Sequence, residues 1–283
     1  MAAAPADGLD DNFASLRASG VGIVRWFLFC DGRAGIAFDP NGVPTGLDAF
    51  VFPDVDAALD LAERHDVRVV FSLFDFLWCA RVEQVGGVQT RGRRRILAQP
   101  ASRAALIDRV VAPLVERYAS HEAIAAWEII NEPEWSTFGA GTIDPRCSIG
   151  RRAMRGFISD TASAIHARTA RPVTVGSAHA SWLNLVKGTG LDFYQVHWYD
   201  RLDSRLPLTT PVSEFALDRP VVLGELPTRG SAWRTDDVIE TARRMGYAGA
   251  WVWSLRAGDD VTDAARGLAA LRQTRTVRGA LDL

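Results

Sequence analysis

Lysine is all but absent. Of 32 basic residues only Lys187 is not an arginine. A Schiff-base aldolase needs a lysine at a strand end, and Lys187 falls between a helical stretch and a strand, so that chemistry is disfavoured. Cysteine is scarce too. Cys30, Cys79 and Cys147 make an odd, sparse set, which argues against a disulfide scaffold. Cys30 and Cys79 follow consecutive strands and are candidate neighbours, but free thiols are the expectation. Excess charge of either sign is missing: the net charge is −2 and the pI about 6.2. Neither nucleic acid nor an anionic membrane is expected as a partner. The run Arg91-Gly92-Arg93-Arg94-Arg95 reads as a solvated loop. No apolar stretch is long enough to span a bilayer. Residues 1–10 are small and acidic and lack the charged start and apolar core of a signal peptide. The expectation is a cytoplasmic protein, or a mature form whose export signal is absent. No glycine-rich phosphate loop follows an early strand, and no helix opens directly after Asp31-Gly32-Arg33-Ala34-Gly35. There is no His-x-His motif, and only His179 and His197 lie near strand tips, so a metal-dependent hydrolase is disfavoured. No metal and no cofactor are expected.

What is present is a regular alternation. With 283 residues, 48% of them hydrophobic, the chain suits one large domain over 1–283, with an atypical segment at 1–10. Apolar runs at 23–29, 68–74, 124–130, 172–176, 193–197, 221–224 and 250–254 read as strands. Helical stretches fall at 11–19, 55–64, 102–118, 149–169, 236–245 and 263–271, with a brief one at 182–186 and a weak one near 211–217. Asp54 is a plausible cap for the second, and 75–100 reads as a long loop. Strict alternation implies a parallel sheet, and continuous apolar strands imply a sheet covered on both faces. The fold class is α/β, a (β/α)8 TIM-type barrel with strand 1 missing or atypical, since only seven strands are found. An open doubly wound sheet is the alternative. A missing strand leaves two sheet edges exposed, so a homodimer through those edges is expected, or else 1–10 plug the gap.

Chemistry gathers at the strand ends. Trp127-Glu128-Ile129-Ile130-Asn131-Glu132-Pro133 and Val221-Val222-Leu223-Gly224-Glu225 each close an apolar run with a glutamate. A carboxylate at the tip of a buried strand is costly to desolvate unless something there needs it. Two such tips on parallel strands suggest the carboxylate pair that cleaves glycosidic bonds. Arg25 lies within the first strand, and other strand ends carry Asp75, His197, Tyr199 and Trp253, with His179 close by. By contrast His65, His121 and His166 fall at the opposite, structural end.

The Asn131-Glu132-Pro133 end, His197-x-Tyr199, the lone Glu225 and Trp253 resemble the clan A glycoside hydrolases, and among them family 5, the cellulase and mannanase family. The resemblance spans about 11–257. It implies a retaining β-glycoside hydrolase acting on a β-linked glucan or mannan, with Glu132 on barrel strand 4 as acid/base and Glu225 on strand 7 as nucleophile. That count fits if the missing strand is strand 1. Arg25 and Tyr199 would keep Glu225 ionised, Asn131 would bind the hydroxyl beside the reacting carbon, His197 would orient Glu132, and Trp253 would carry the sugar. Strand alternation sends Asn131 and Glu132 to opposite faces, so a bulge or turn is required there. Trp135 and His179 are candidates to line subsites. The chain has Asp75-Phe76 where many family members have a histidine. The bland readings stay open: a capping role for either glutamate, an Arg25–Glu128 pair, Trp251 or Trp253 as core filling, and a catalytically impaired sugar-binding barrel.

Overall fold

The computed structural model describes residues 8–202 and 208–274. The suggested plug, 1–10, lies outside the described residues as far as residue 7. Seven parallel strands form one curled sheet: β1 (Ile23–Phe27), β4 (Arg68–Asp75), β7 (Ile124–Asn131), β8 (Val173–Ser177), β9 (Tyr194–His197), β10 (Val221–Glu225) and β11 (Gly249–Ala250), in that spatial order. Two antiparallel hairpins stand apart, β2 (Ile36–Phe38) with β3 (Pro44–Leu47) and β5 (Glu83–Val85) with β6 (Val88–Thr90). The helices are α1 (Leu9–Ala18), α2 (Val51–Arg64), α3 (Arg94–Ala98), α4 (Pro100–Leu106), α5 (Ala112–Arg117), α6 (Arg151–His166), α7 (Thr235–Arg244) and α8 (Ala264–Thr274). This is the barrel-type arrangement expected, short of closure among the described residues.

The helices form where an apolar stripe can face the sheet. In α2 the buried set is Val51, Val55, Ala58, Leu59, Leu61 and Ala62, a one-sided helical spacing. This helix starts four residues earlier than the sequence suggested. Asp54 is therefore not its cap but a first-turn acid, favourable to the helix dipole. The 102–118 stretch is broken by a π-helical turn at Ile107–Val111. Pro113 follows it closely, and a ring without an N–H forces the preceding turn wider. Within the expected loop 75–100 lie the β5–β6 hairpin and α3. Gly86 and Gly87, both at positive φ, make the hairpin turn. Its three-residue strands are too short for an alternating pattern to register.

A floor of side chains fills the barrel below its mouth. Val70, Ala126, Phe193 and Val222 pack there with Ile23, Ala248 and Trp251. Trp251 is thus core filling. Strand β11 is only two residues long, and Trp253 joins the sheet by a single bridge to Pro227, where a strand over 250–254 was expected. Between β1 and β11 no backbone pairing exists. A groove of about 1870 Å³ opens there, lined by Leu9, Phe13 and Leu16 from one side and Trp251, Leu268 and Leu271 from the other.

The outer core between sheet and helices carries most of the burial. Phe71 and Trp127 are both fully buried there with ring centroids 5.8 Å apart. Phe71→Ala should therefore lower unfolding free energy by about 3–5 kcal/mol. Urea titration followed by circular dichroism measures this, and a change below about 1 kcal/mol would mean the site collapses around the lost ring.

Candidate active site

Both strand-end glutamates stand beside an extra residue in their strand. Between β7 and β8 the register runs Glu128↔Thr174 and then Asn131↔Gly176, three residues against two. Glu132 follows in the left-handed region at φ 46, and its N–H donates to the Gly176 carbonyl at 2.6 Å. This is the bulge and turn that alternation demanded, and it lets Asn131 and Glu132 share one pocket. Strand β10 repeats the device: Leu223↔Val196 is followed by Glu225↔His197, with Gly224 extra. A Cβ on Gly224 would meet Gln195 Oε1 at 2.6 Å and Cβ at 3.1 Å, so a larger residue would push Gln195 from its place.

Arg25 organises the centre. Its Nε and Nη2 donate to the two oxygens of Glu128, Nη1 donates to Glu225 Oε1, and Nη2 also donates to Asn131 Oδ1 at 2.6 Å. Glu128 is fully buried and accepts further bonds from Ser72 Oγ at 2.9 Å and Gln195 Nε2 at 3.0 Å. Both readings of Arg25 therefore hold, as the structural partner of Glu128 and as the holder of Glu225. Burial alone would lower the Arg25 pKa, but the two carboxylates outweigh it and push it up.

The other oxygen of Glu225 accepts from Tyr199 Oη at 2.8 Å. Burial and the Glu225 charge push the Tyr199 hydroxyl far up, so it stays a donor. His197 Nδ1 lies 2.8 Å from Glu132 Oε1 and 3.5 Å from Glu225 Oε2. Two facing carboxylates require a hydrogen on that nitrogen. Burial favours neutral His197, yet the Glu225 charge and the Glu132 bond raise its pKa overall. Glu132 shows the converse. Burial raises it, but His197, the Trp135 indole and Arg25 together hold it below the usual range. Trp135 Nε1 donates to Glu132 Oε2 at 2.8 Å. The ligand atoms of Glu132, His197 and Glu225 all lie within 4.8 Å of one another.

The remaining sequence candidates sit around this centre. Trp135 packs edge-on against Trp182 at 5.3 Å, and Trp182 against His179 at 5.5 Å, an aromatic wall beside Glu132. His179 Nδ1 also accepts from Ser181 N–H, capping its own turn. Trp253 donates its indole N–H to Asp259 at 2.8 Å and meets Phe27 edge-on across the seam at 6.1 Å. His65, His121 and His166 pair with Asp10, Glu63 and Asp192, away from the centre. The three cysteines are free thiols.

One buried carboxylate escaped sequence reasoning. Glu134 is fully buried, with Oε2 accepting from Ala178 N–H at 3.1 Å. In Asn-Glu-Pro-Glu the second glutamate looks like any loop acid. Only the fold shows that the turn after Glu132 drives it inward.

No family model matches the chain. A mannan endo-1,4-beta-mannosidase of Mytilus edulis is 28% identical over 289 aligned positions, covering 87% of this chain and 76% of the relative. Another of Cryptopygus antarcticus is 25% identical over 304 positions, covering 90% and 75%. The crystal structure of an endo-1,4-beta-mannanase from Eisenia fetida superposes with a TM-score of 0.79 at 25% identity, covering 95% of this chain and 83% of that one. Such relatives make the chain a glycoside hydrolase. More narrowly, it is similar to the mannanases of clan A, family 5.

Glu134 makes a stability prediction. Burial, helped by the Glu132 charge, pushes its carboxyl up to about 7. A folded-state pKa above the unfolded one gives stability that is full at low pH and lost as pH rises through about 7. Glu134→Gln keeps an acceptor for Ala178 N–H and removes this loss. Its Tm should match wild type near pH 4 and exceed it near pH 8. Parallel Tm profiles for the two proteins would show Glu134 to be ionised throughout.

Proposed function

We propose that the chain is an endo-acting β-1,4-mannanase that works by retention, with Glu225 as nucleophile and Glu132 as acid/base. The observation that carries the mechanism is the nearness of Glu132 and Glu225, one oxygen of each lying within 4.8 Å of the other around one imidazole. Retaining enzymes hold their carboxyl groups about 5–5.5 Å apart, and inverting enzymes need a wider gap for a water. The substrate is inferred from what the relatives in mussel, springtail and earthworm are named for.

The roles follow from the contacts. Glu225 is held in place by a guanidinium and a phenol that both donate to it. One of its oxygens attacks the anomeric carbon. The glycosidic bond breaks, its electron pair goes to the leaving oxygen, and that oxygen takes a proton from Glu132. Water then attacks the same carbon, gives its proton to Glu132, and releases Glu225. Glu132 must be protonated at the first step, and its nearest proton is the one on His197, 2.8 Å away. A bound sugar excludes water, and a drier site favours a neutral acid–imidazole pair over an ion pair. Substrate binding itself thus loads the acid. The sugar hydroxyls are left to Asn131, and the flat apolar sugar faces to Trp253 and the Trp135–Trp182 wall. None of these contacts favours the catalytically impaired reading.

Hydrolysis of β-mannan, β-glucan and activated aryl β-glycosides tests this. Glu225→Gln should lower kcat on the order of 10⁴-fold while leaving the fold intact. Glu132→Ala should lose activity on mannan and regain it with azide on aryl glycosides, giving a β-glycosyl azide. An α-azide product would overturn retention, and turnover of glucan but not mannan would overturn the substrate.

A further inference from the structure

Asp75 is a buried carboxylate that the double displacement does not use. It ends β4 directly beside Asn131 of β7 and is 3% exposed. Both of its oxygens are engaged: Oδ1 accepts from Leu77 N–H at 2.8 Å and Oδ2 from Asn131 Nδ2 at 2.7 Å. The opposite end of the same amide accepts from Arg25 Nη2 at 2.6 Å. The Asn131 side chain is therefore clamped between a cation and an anion. Its oxygen must face Arg25 and its nitrogen must face Asp75, because the reversed amide would set donor against donor and acceptor against acceptor. One of its two N–H groups remains for a ligand.

Capping the turn after β4 does not require a charge, since serine or asparagine would serve. The charge is also costly there. Burial, with the Glu132 charge beside it, pushes Asp75 up to about 7 against the pull of Asn131, Leu77 N–H and Arg25. The groups that face Asp75 are Asn131 and Glu132 from β7 and its end, Arg25 from β1, the Leu77 N–H, and the Cys30 thiol just past β1. Only the amide of Asn131 gains in orientation from having an acceptor at that spot.

We propose that Asp75 is a positioning residue that fixes the Asn131 amide, so that its free N–H meets the sugar hydroxyl next to the reacting carbon. The proposal rests on the glycosidase reading above for its ligand, but the clamp itself is testable without turnover. The chain has four asparagines, Asn12, Asn41, Asn131 and Asn184. Labelling asparagine alone with ¹⁵N gives few side-chain amide signals, and Asn131→Ala assigns the relevant pair. In the wild type this pair should shift with pH around 7. In Asp75→Asn, which keeps the size but not the charge, it should shift position and lose that titration. An Asn131 amide unmoved by Asp75→Asn and Asp75→Ala would overturn the clamp, whatever the enzyme cleaves.

Kinetics supply the second arm, using an activated aryl β-mannoside and its 2-deoxy analogue. Asp75→Ala should lower kcat on the parent by about 10–100-fold with little change in KM. It should change the 2-deoxy analogue by no more than about twofold, and add nothing in the Asn131→Ala background. Equal losses on both substrates, or further loss without Asn131, would make Asp75 merely structural. A wild type inert on both glycosides and on β-mannan would sink the mannanase reading and leave the amide signals to judge the clamp.

Discussion

One guanidinium, that of Arg25, ties together groups from strands that do not touch. Strand β1 is separated from β10 by four strands in the sheet, yet Arg25 donates to Glu225 across the barrel interior. It also takes both oxygens of Glu128 on β7. A buried cation facing one carboxylate would be neutralised by it. Facing two, it leaves the centre with negative charge to spare, and that surplus raises His197 and keeps a proton within reach of Glu132. Glu128 is therefore more than ballast. In the proposed mechanism it holds the guanidinium in place when Glu225 becomes an ester and stops attracting it.

The strands deliver these groups only because their regularity fails at the right points. A pleated strand alternates its side chains and cannot present two neighbours to one pocket. One extra residue before Asn131 and one at Gly224 change the parity, and a left-handed Glu132 completes the turn. Close packing around these irregularities has its own requirement. A Cβ at Gly176 would come within 2.8 Å of Arg25 Nη2 and 3.0 Å of His197 Nε2. The strand next to Glu132 must be bare at that position for the polar centre to fit.

Much of this is legible in the sequence, for reasons that differ by level. The seven strands register because strands covered on both faces are buried along their length and so mostly apolar, as β7 is from Ile124 to Ile130 apart from Glu128. The site registers because charges ending such runs have no packing role. Glu132, Glu225, Arg25, His197 and Tyr199 all converge, and even the need for a bulge follows from parity alone. The hairpins and the true start of α2 do not register, since they depend on contacts distant in the chain. Glu134 and the partner of Asn131 belong with them. A carboxylate's burial is decided by what folds over it, and nothing in Asn-Glu-Pro-Glu or Phe-Asp-Phe states that. Trp251 and Trp253 share a parity, so only the packed barrel separates the floor from the mouth.

The unpaired seam between β1 and β11 raises the question of how an ordered centre stands beside an open wall. The site does not lean on that seam through its backbone. Its ion pairs and hydrogen bonds run from Arg25 to side chains of β7 and β10. The seam is instead crossed by side chains: Phe27 against Trp253 at the mouth, and Arg272 donating to Ser19 at 2.8 Å between α8 and the turn after α1. The floor adds a third tie, with Ile23 and Trp251 packed on the same apolar cluster. Three cross-links at three heights fix the separation of the two edges without a strand between them. The consequence is mechanical. Loosening the seam would move Arg25 with β1 while Glu225 stayed with β10, so the Arg25–Glu225 contact is the part of the site that senses the closure of the barrel.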